Sequence, residues 1–177
     1  MPYLKRLRAL IGRHRLLFAA GAALSLGLGI FVLVWFQPQK LFIEKTVNEA
    51  APIQTPSAAA SAAGARSAVL ATGPFRSLEH KTTGTVRLLR LDDGSHVLRV
   101  EDLDTSNGPV LRVYLSELGP DLGWRDYGKR YLDLGGLKGN RGDQNYRVPA
   151  GTDVSKFKSV VIWCSRFSVG FGVAPLA

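Results

Sequence analysis

The sequence predicts an all-β domain, an antiparallel β-sandwich or barrel-like fold over residues 71–177, preceded by one transmembrane helix. Three observations lead there. Leu16 to Phe36 is an apolar run of 21 residues without a charge. From about Ala71, apolar residues recur with period two in short segments separated by turn-forming clusters. No later segment has the spacing of a long amphipathic helix, and regularly spaced short strands of this kind close into sandwiches or barrels.

The chain begins with a basic segment, residues 1–15, containing Lys5, Arg6, Arg8, Arg13 and Arg15 and no acid. At about 1.5 Å per residue, the apolar run 16–36 spans roughly 30 Å, a hydrocarbon thickness. Trp35 and Phe36 close its far end, where aromatic rings favour the interface. A cleaved signal peptide has an apolar region of about 7–15 residues with a small-residue site close behind. Here Phe36, Gln37 and Pro38 follow a longer run, so an uncleaved signal anchor is expected. The basic cluster places the N-terminus in the cytoplasm and the remainder outside, giving a single-pass cell-membrane protein that meets the lipid bilayer through 16–36.

Residues 37–70 lose periodicity, and Ala50 to Ala68 is a run of Ala, Ser, Pro and Gly. Such a composition buries too little apolar surface to offset its ordering entropy, so a flexible tether with a reach of roughly 30–35 Å is expected. Lys40 to Asn48 is expected to lie along the membrane surface. The net charge of +9 comes mostly from the first 36 residues, which carry +5; residues 71–177 carry only +3. Nucleic-acid binding needs basic side chains clustered on the folded part, and is not expected.

In the domain, Thr85 to Leu91 sets Val86 and Leu88 on one side and Leu89 and Leu91 on the other. D-D-G-S, Asp92 to Ser95, supplies a hairpin turn into Val97 to Leu103, because glycine tolerates positive φ and aspartate satisfies nearby backbone donors. T-S-N-G-P, Thr105 to Pro109, turns the chain into Leu111, Val113 and Leu115, a half-buried strand. The stretch Gly119 to Asp143 is loop-rich, with one strand expected at Arg130 to Leu134. Tyr146 and Val148 precede the turn P-A-G-T. Phe157 to Cys164 is the most apolar strand. Phe167, Val169, Phe171 and Val173 alternate in the last, with Gly170 and Gly172 opposite. The one cysteine, Cys164, excludes an internal disulfide, so the domain rests on its core.

Four blocks in order resemble the DM-thirteen electron-transfer domain family: G-P-F-R-S-L-E-H-K-T-T-G-T-V (Gly73 to Val86), S-N-G-P-V-L-R-V-Y-L-S (Ser106 to Ser116), L-G-G-L-K-G-N-R-G-D-Q-N-Y-R-V-P (Leu134 to Pro149) and S-V-V-I-W-C-S-R-F-S-V-G-F-G-V-A-P-L (Ser159 to Leu176). The resemblance implies an extracytoplasmic β-sandwich that occurs beside DOMON and cytochrome-b-type proteins in animals. It implies electron transfer, or oxidation of surface proteins, through a cysteine that acts as a naked thiol or as the ligand of a prosthetic group such as haem. That cysteine maps to Cys164, and the implied partner is a redox or surface protein of the envelope. This chain carries no fused DOMON or multi-span cytochrome segment.

From its own pattern Cys164 has two readings. It shares a strand face with Val160 and Ile162, as a buried structural cysteine would. It also lies where the strand ends, and a thiol at a rim near Arg166 has its thiolate favoured, as redox or ligand chemistry requires. The first reading leads to a non-catalytic surface interaction module, the second to a redox module. His80 is the candidate partner ligand in the domain if folding brings it to Cys164, and its other reading is a surface or turn histidine. Met1 is the only methionine and C-x-x-C-H is absent, which excludes a methionine ligand in the domain and covalent c-type haem. No G-x-S-x-G or other nucleophile–base pattern marks a hydrolase, so a stand-alone enzyme is not the expectation. Gly135 to Gly142 lacks G-K-[ST], and its glycines are expected to serve backbone turns instead of phosphate.

Overall fold

The computed structural model describes residues 15–35, 43–52 and 68–177. The chain divides into two units, 1–39 and 40–177. In the first, helix α1 (Arg15–Trp35) buries none of its side chains, and Trp35 stacks on Phe31 one turn earlier at 5.8 Å. Its length and apolar composition are sufficient to cross a membrane. Phe36 and most of the expected tether lie outside the described residues.

The second unit carries strands β1 (Thr46–Asn48), β2 (Ala68–Pro74), β3 (Arg76–Ser77), β4 (Thr82–Arg90), β5 (His96–Thr105), β6 (Leu111–Ser116), β7 (Tyr131–Gly136), β8 (Arg141–Arg147), β9 (Ser159–Cys164) and β10 (Val169–Pro175). They form two five-stranded open sheets, ordered β1-β8-β5-β4-β2 and β3-β10-β9-β6-β7. The fold is therefore a sandwich and not a closed barrel. Every pairing is antiparallel except β1 with β8. The D-D-G-S turn joins β4 to β5 as expected: Gly94 has φ +77° and the Asp93 carboxylate accepts the Ser95 N–H at 2.8 Å. The turn after β5 carries the chain across to the second sheet.

The main core lies between the sheets. Val86, Leu88, Leu98, Val100 and Tyr146 of the first meet Leu111, Val113, Leu115, Val160, Ile162, Cys164, Val169 and Phe171 of the second. A second cluster, Tyr114, Tyr127, Val161, Trp163 and Val173, covers the other face of β6, β9 and β10. The 117–130 connection supplies its cover. Tyr127 is buried there, its hydroxyl donating to the Gly119 carbonyl at 3.0 Å. With both faces covered, β9 is buried along its whole length, which is why its sequence is continuously apolar.

Three expectations are corrected. Residues 46–48, read as part of an irregular segment, form a strand that pairs with Arg141–Asp143 of β8. The close approach depends on two glycines: a Cβ on Gly139 would lie 2.4 Å from the Lys45 carbonyl, and one on Gly142 2.3 Å from that of Val47. Residues 68–70, read as the end of the tether, begin β2 and pair with β4. In β10 the expected common face of Phe171 and Val173 is broken by a register shift between Gly170 and Gly172. Phe171 therefore packs in the inter-sheet core, whereas Val173 joins the outer cluster.

Candidate functional site

Cys164 ends β9, on a rung that runs from Leu111 of β6 through Cys164 to Val169 of β10. Beyond it the chain reverses in the turn 165–168. Its side chain has no exposed surface and faces the inter-sheet core with Val160 and Ile162. The thiol donates a hydrogen bond to the Pro109 carbonyl at 3.1 Å, an arrangement that requires the protonated sulfur. Ser165 continues the pattern: its N–H and its hydroxyl both donate to the Val110 carbonyl, at 3.2 and 3.1 Å.

Two strained turns flank the cysteine. Val110 has φ +55° and Ser168 φ +54°. A β-branched residue in the left-handed region is a true outlier, and such positions cost on the order of 1–3 kcal/mol each. The Ser165 bonds hold Val110 in that state. The Pro109–Val110 segment and the 165–168 turn cover this end of β9, and Val110, Ser165 and Phe167 are exposed there. Arg166 lies half-buried in the same turn. The expected rim position is met by the backbone, while the thiol itself points inward.

His80 lies in the loop between β3 and β4. Its ring packs on Phe171 at 3.9 Å between centroids, and its carbonyl accepts the Thr82 hydroxyl. It makes no hydrogen bond with Cys164. Phe171 in turn meets Gly108, where a Cβ would lie 2.9 Å from the ring. The two candidates thus approach the same turn, 106–110, from different contacts, and the structure does not join them as ligands. Among the described residues no group of three or more His, Cys, Asp or Glu side chains is placed to hold a metal.

Haem ligation can be tested on the same atoms. A thiolate ligand needs an open approach to the sulfur and loss of its proton. Here the sulfur is sealed by Pro109, and its proton is engaged. The residues around Cys164 do not fit a haem in this conformation.

Nothing local in the sequence marks the cover: Pro109 closes the T-S-N-G-P turn, and Val110 at positive φ runs against its residue type. Tyr114 and Tyr131 were also missed. Their rings stack at 3.9 Å, nearly parallel at 7°, and Tyr114 lies 6.2 Å from the ring of Trp163, the neighbour of Cys164 in sequence. Burial first, then the hydroxyl of Tyr131 and the charge of Asp133, hold the Tyr114 phenol well above its ordinary pKa.

An antiparallel-rich sandwich whose lone cysteine closes a central strand defines a β-sandwich module with one free, buried thiol. The sequence model of the family described as Electron transfer DM13 matches residues 74–176, well over half of the chain, and the chain belongs to that family. No curated protein and no solved structure matches it.

Proposed function

We propose that this protein is a single-pass, membrane-anchored electron-transfer module whose DM13 domain works outside the cytoplasmic membrane with Cys164 as a naked thiol. The observation that carries the reading is the position of Cys164: the sole cysteine of a DM13 domain, at the last rung of a central strand, under a cover held in a strained backbone state. Helix α1 and the basic residues before it support the anchor and its orientation. The thiol reacts when the Pro109–Val110 cover opens, a local motion that relieves the left-handed Val110 and exposes one side chain without unfolding the sheets. Its partner is a redox or surface protein of the envelope.

The complete burial of Cys164 favours a second reading, a structural cysteine in a non-catalytic surface interaction module. Thiol labelling of the full-length protein in detergent separates the two. On the first reading, Cys164 reacts under native conditions at a rate that rises when Val110→Gly loosens the cover, and Cys164→Ser abolishes thiol-dependent reduction of a redox partner. Labelling that appears only with global unfolding, at the same rate in Val110→Gly, establishes the structural reading.

A further inference from the structure

Strand direction decides at which end of the sandwich the chain enters. β1 runs parallel to β8, so Lys45 and the residues before it lie where β8 begins, beside the 137–140 connection. The 106–110 and 165–168 turns belong to the same end: the Thr105 N–H donates to the Asn140 carbonyl at 3.0 Å, and Ser165 donates to the Val110 carbonyl. The entering segment is pinned there too. The Lys45 N–H donates to Asn140 Oδ1 at 2.7 Å, and the Asn107 side-chain amide donates to the Ile43 carbonyl. The chain thus joins the domain on the turn that covers Cys164. Three large apolar side chains are exposed on these adjoining segments, Ile43 at 57%, Val110 at 37% and Phe167 at 54%. Turns in water are ordinarily filled by Gly, Pro, Asn, Asp or Ser, so three apolar residues together call for a partner. At the opposite end the exposed pair Val69 and Leu70 lies on the edge strand β2, and the 92–95 and 149–152 turns expose no large apolar side chain.

We propose that this end of the sandwich rests on the lipid bilayer, with Ile43, Val110 and Phe167 entering the boundary between headgroups and acyl chains. The proposal rests on the membrane-anchor reading above and adds the face by which the domain meets the membrane. Chain length selects the end. Ile43 lies eight positions after Trp35, and eight residues reach at most about 26–29 Å. β5 alone, with ten residues, is roughly 30–34 Å long. To set the 92–95 turn on the bilayer, a segment that enters beside the 106–110 turn would have to run the length of the sandwich, and it is too short. Charge agrees with the choice. Glu44 and Asp104 are both engaged by Arg141, at 2.5 and 3.1 Å, and exposed Lys45 and Lys81 then stand against Glu79, a balance that suits anionic headgroups. Because the anchor already confines the domain to the bilayer, the contact forms at high effective concentration and three side chains suffice. Seated this way, the Pro109–Val110 segment and the 165–168 turn face lipid, and access to Cys164 opens at the membrane surface instead of the bulk aqueous phase.

The test uses the full-length protein in vesicles of phosphatidylcholine and phosphatidylglycerol that include a phosphatidylcholine with a diazirine on its acyl chain. Photolysis followed by mass spectrometry maps which residues touch lipid. Cross-links are expected at Ile43, in 108–111 and in 165–168, and none in the 92–95 or 149–152 turns. The double variant Val110→Asn with Phe167→Asn, changed only at exposed positions, should lose the cross-links of both turns with thermal stability no lower than the parent's. Should it fail to fold, Phe167→Asn alone should lose those of 165–168. Helix α1 reports separately on the anchor. Cross-links along Leu16–Trp35 with none at 43, 110 or 167 leave the anchor standing and overturn the docking; none along Leu16–Trp35 defeats the anchor reading and the docking with it. Equal labelling of the two ends of the sandwich overturns the docking as well. So does labelling of 165–168 that disappears as the protein-to-lipid ratio is raised, a result that assigns the face to a second copy of the chain.

Discussion

The two sheets turn unlike outer faces away from their shared core. On the first, Arg99 of β5 is the hub of a polar web. Its guanidinium donates to Glu101 at 2.8 Å, Asp143 at 2.6 Å, Asn145 at 3.0 Å and the Glu49 carbonyl at 3.1 Å. Arg87 adds a second pair with Glu101, and Lys138 ties Glu49 to the sheet. On the second, the corresponding positions are Tyr114, Val161, Trp163 and Val173, roofed by the 117–130 connection. The first face thus resists water by satisfying charges and the second by excluding water. The domain is in effect three layers, and its candidate chemistry lies in the middle one, where β9 is buried on both sides.

That contrast sets the order of expected damage. Trp163→Ala removes the largest side chain of the roofed face and leaves a void that Gly128 and Tyr114 cannot fill, so a loss of about 3–5 kcal/mol is expected in denaturant unfolding. Arg99→Ala should cost less, about 2 kcal/mol. Removing one partner of a fully buried pair costs about 3–5 kcal/mol, but Glu101 and Asp143 keep 23% and 32% side-chain exposure and can rehydrate. The sites face opposite ways across the sandwich, so the double variant should lose the sum within about 0.5 kcal/mol. An Arg99→Ala protein as unstable as Trp163→Ala would show that the polar web holds the domain as strongly as the roofed face does.

The same contrast decides what was legible in the sequence. On the first sheet, Leu98 and Val100 alternate with Arg99 and Glu101, and this apolar–polar alternation could be read directly, as could its D-D-G-S hairpin; the expected half-buried strand at Leu111 to Leu115 is instead covered on both faces, with Tyr114 buried. On the second, β9 has no alternation because both sides are covered; its apolar run identified a buried strand but not its neighbours. The sharing of one face by Val160, Ile162 and Cys164 was readable because strand period is local. The Phe171 bulge was not, because its register shift is set by pairing with Trp163 and Ile162 on another strand. Strand β1 was invisible for a related reason: three residues carry no period, and the features that seat it, Gly139, Gly142 and Lys138, lie about ninety positions away. The cover of Cys164 depends on contacts of 55 residues' separation, which no local pattern encodes.

The smallest expected effect concerns how β1 is held, and pH probes it. Glu49 follows β1 and its carboxylate accepts from Lys138 Nζ at 2.7 and 2.9 Å and from the Asn145 N–H at 2.7 Å. The Lys138 hydrogen bond, helped by the Asn145 N–H and the charges of Lys138 and Arg99, lowers the Glu49 pKa below 4.5, against the opposing effect of burial. A carboxylate with a lowered folded pKa contributes stability above its unfolded value, and that contribution disappears as pH falls through the folded value. Protection of the β1 amides, relative to the intrinsic exchange rate at each pH, should therefore fall on acidification below about 4.5 while protection in β9 is kept. With the side chain a third exposed, Glu49→Gln at neutral pH should cost only about 0.5–1 kcal/mol. It should also flatten the acid dependence of β1 exchange. If β1 and β9 exchange together in acid, in both the parent and Glu49→Gln, then β1 is held by its backbone ladder and glycine contacts, and the polar web of the first face has no separate part in seating it.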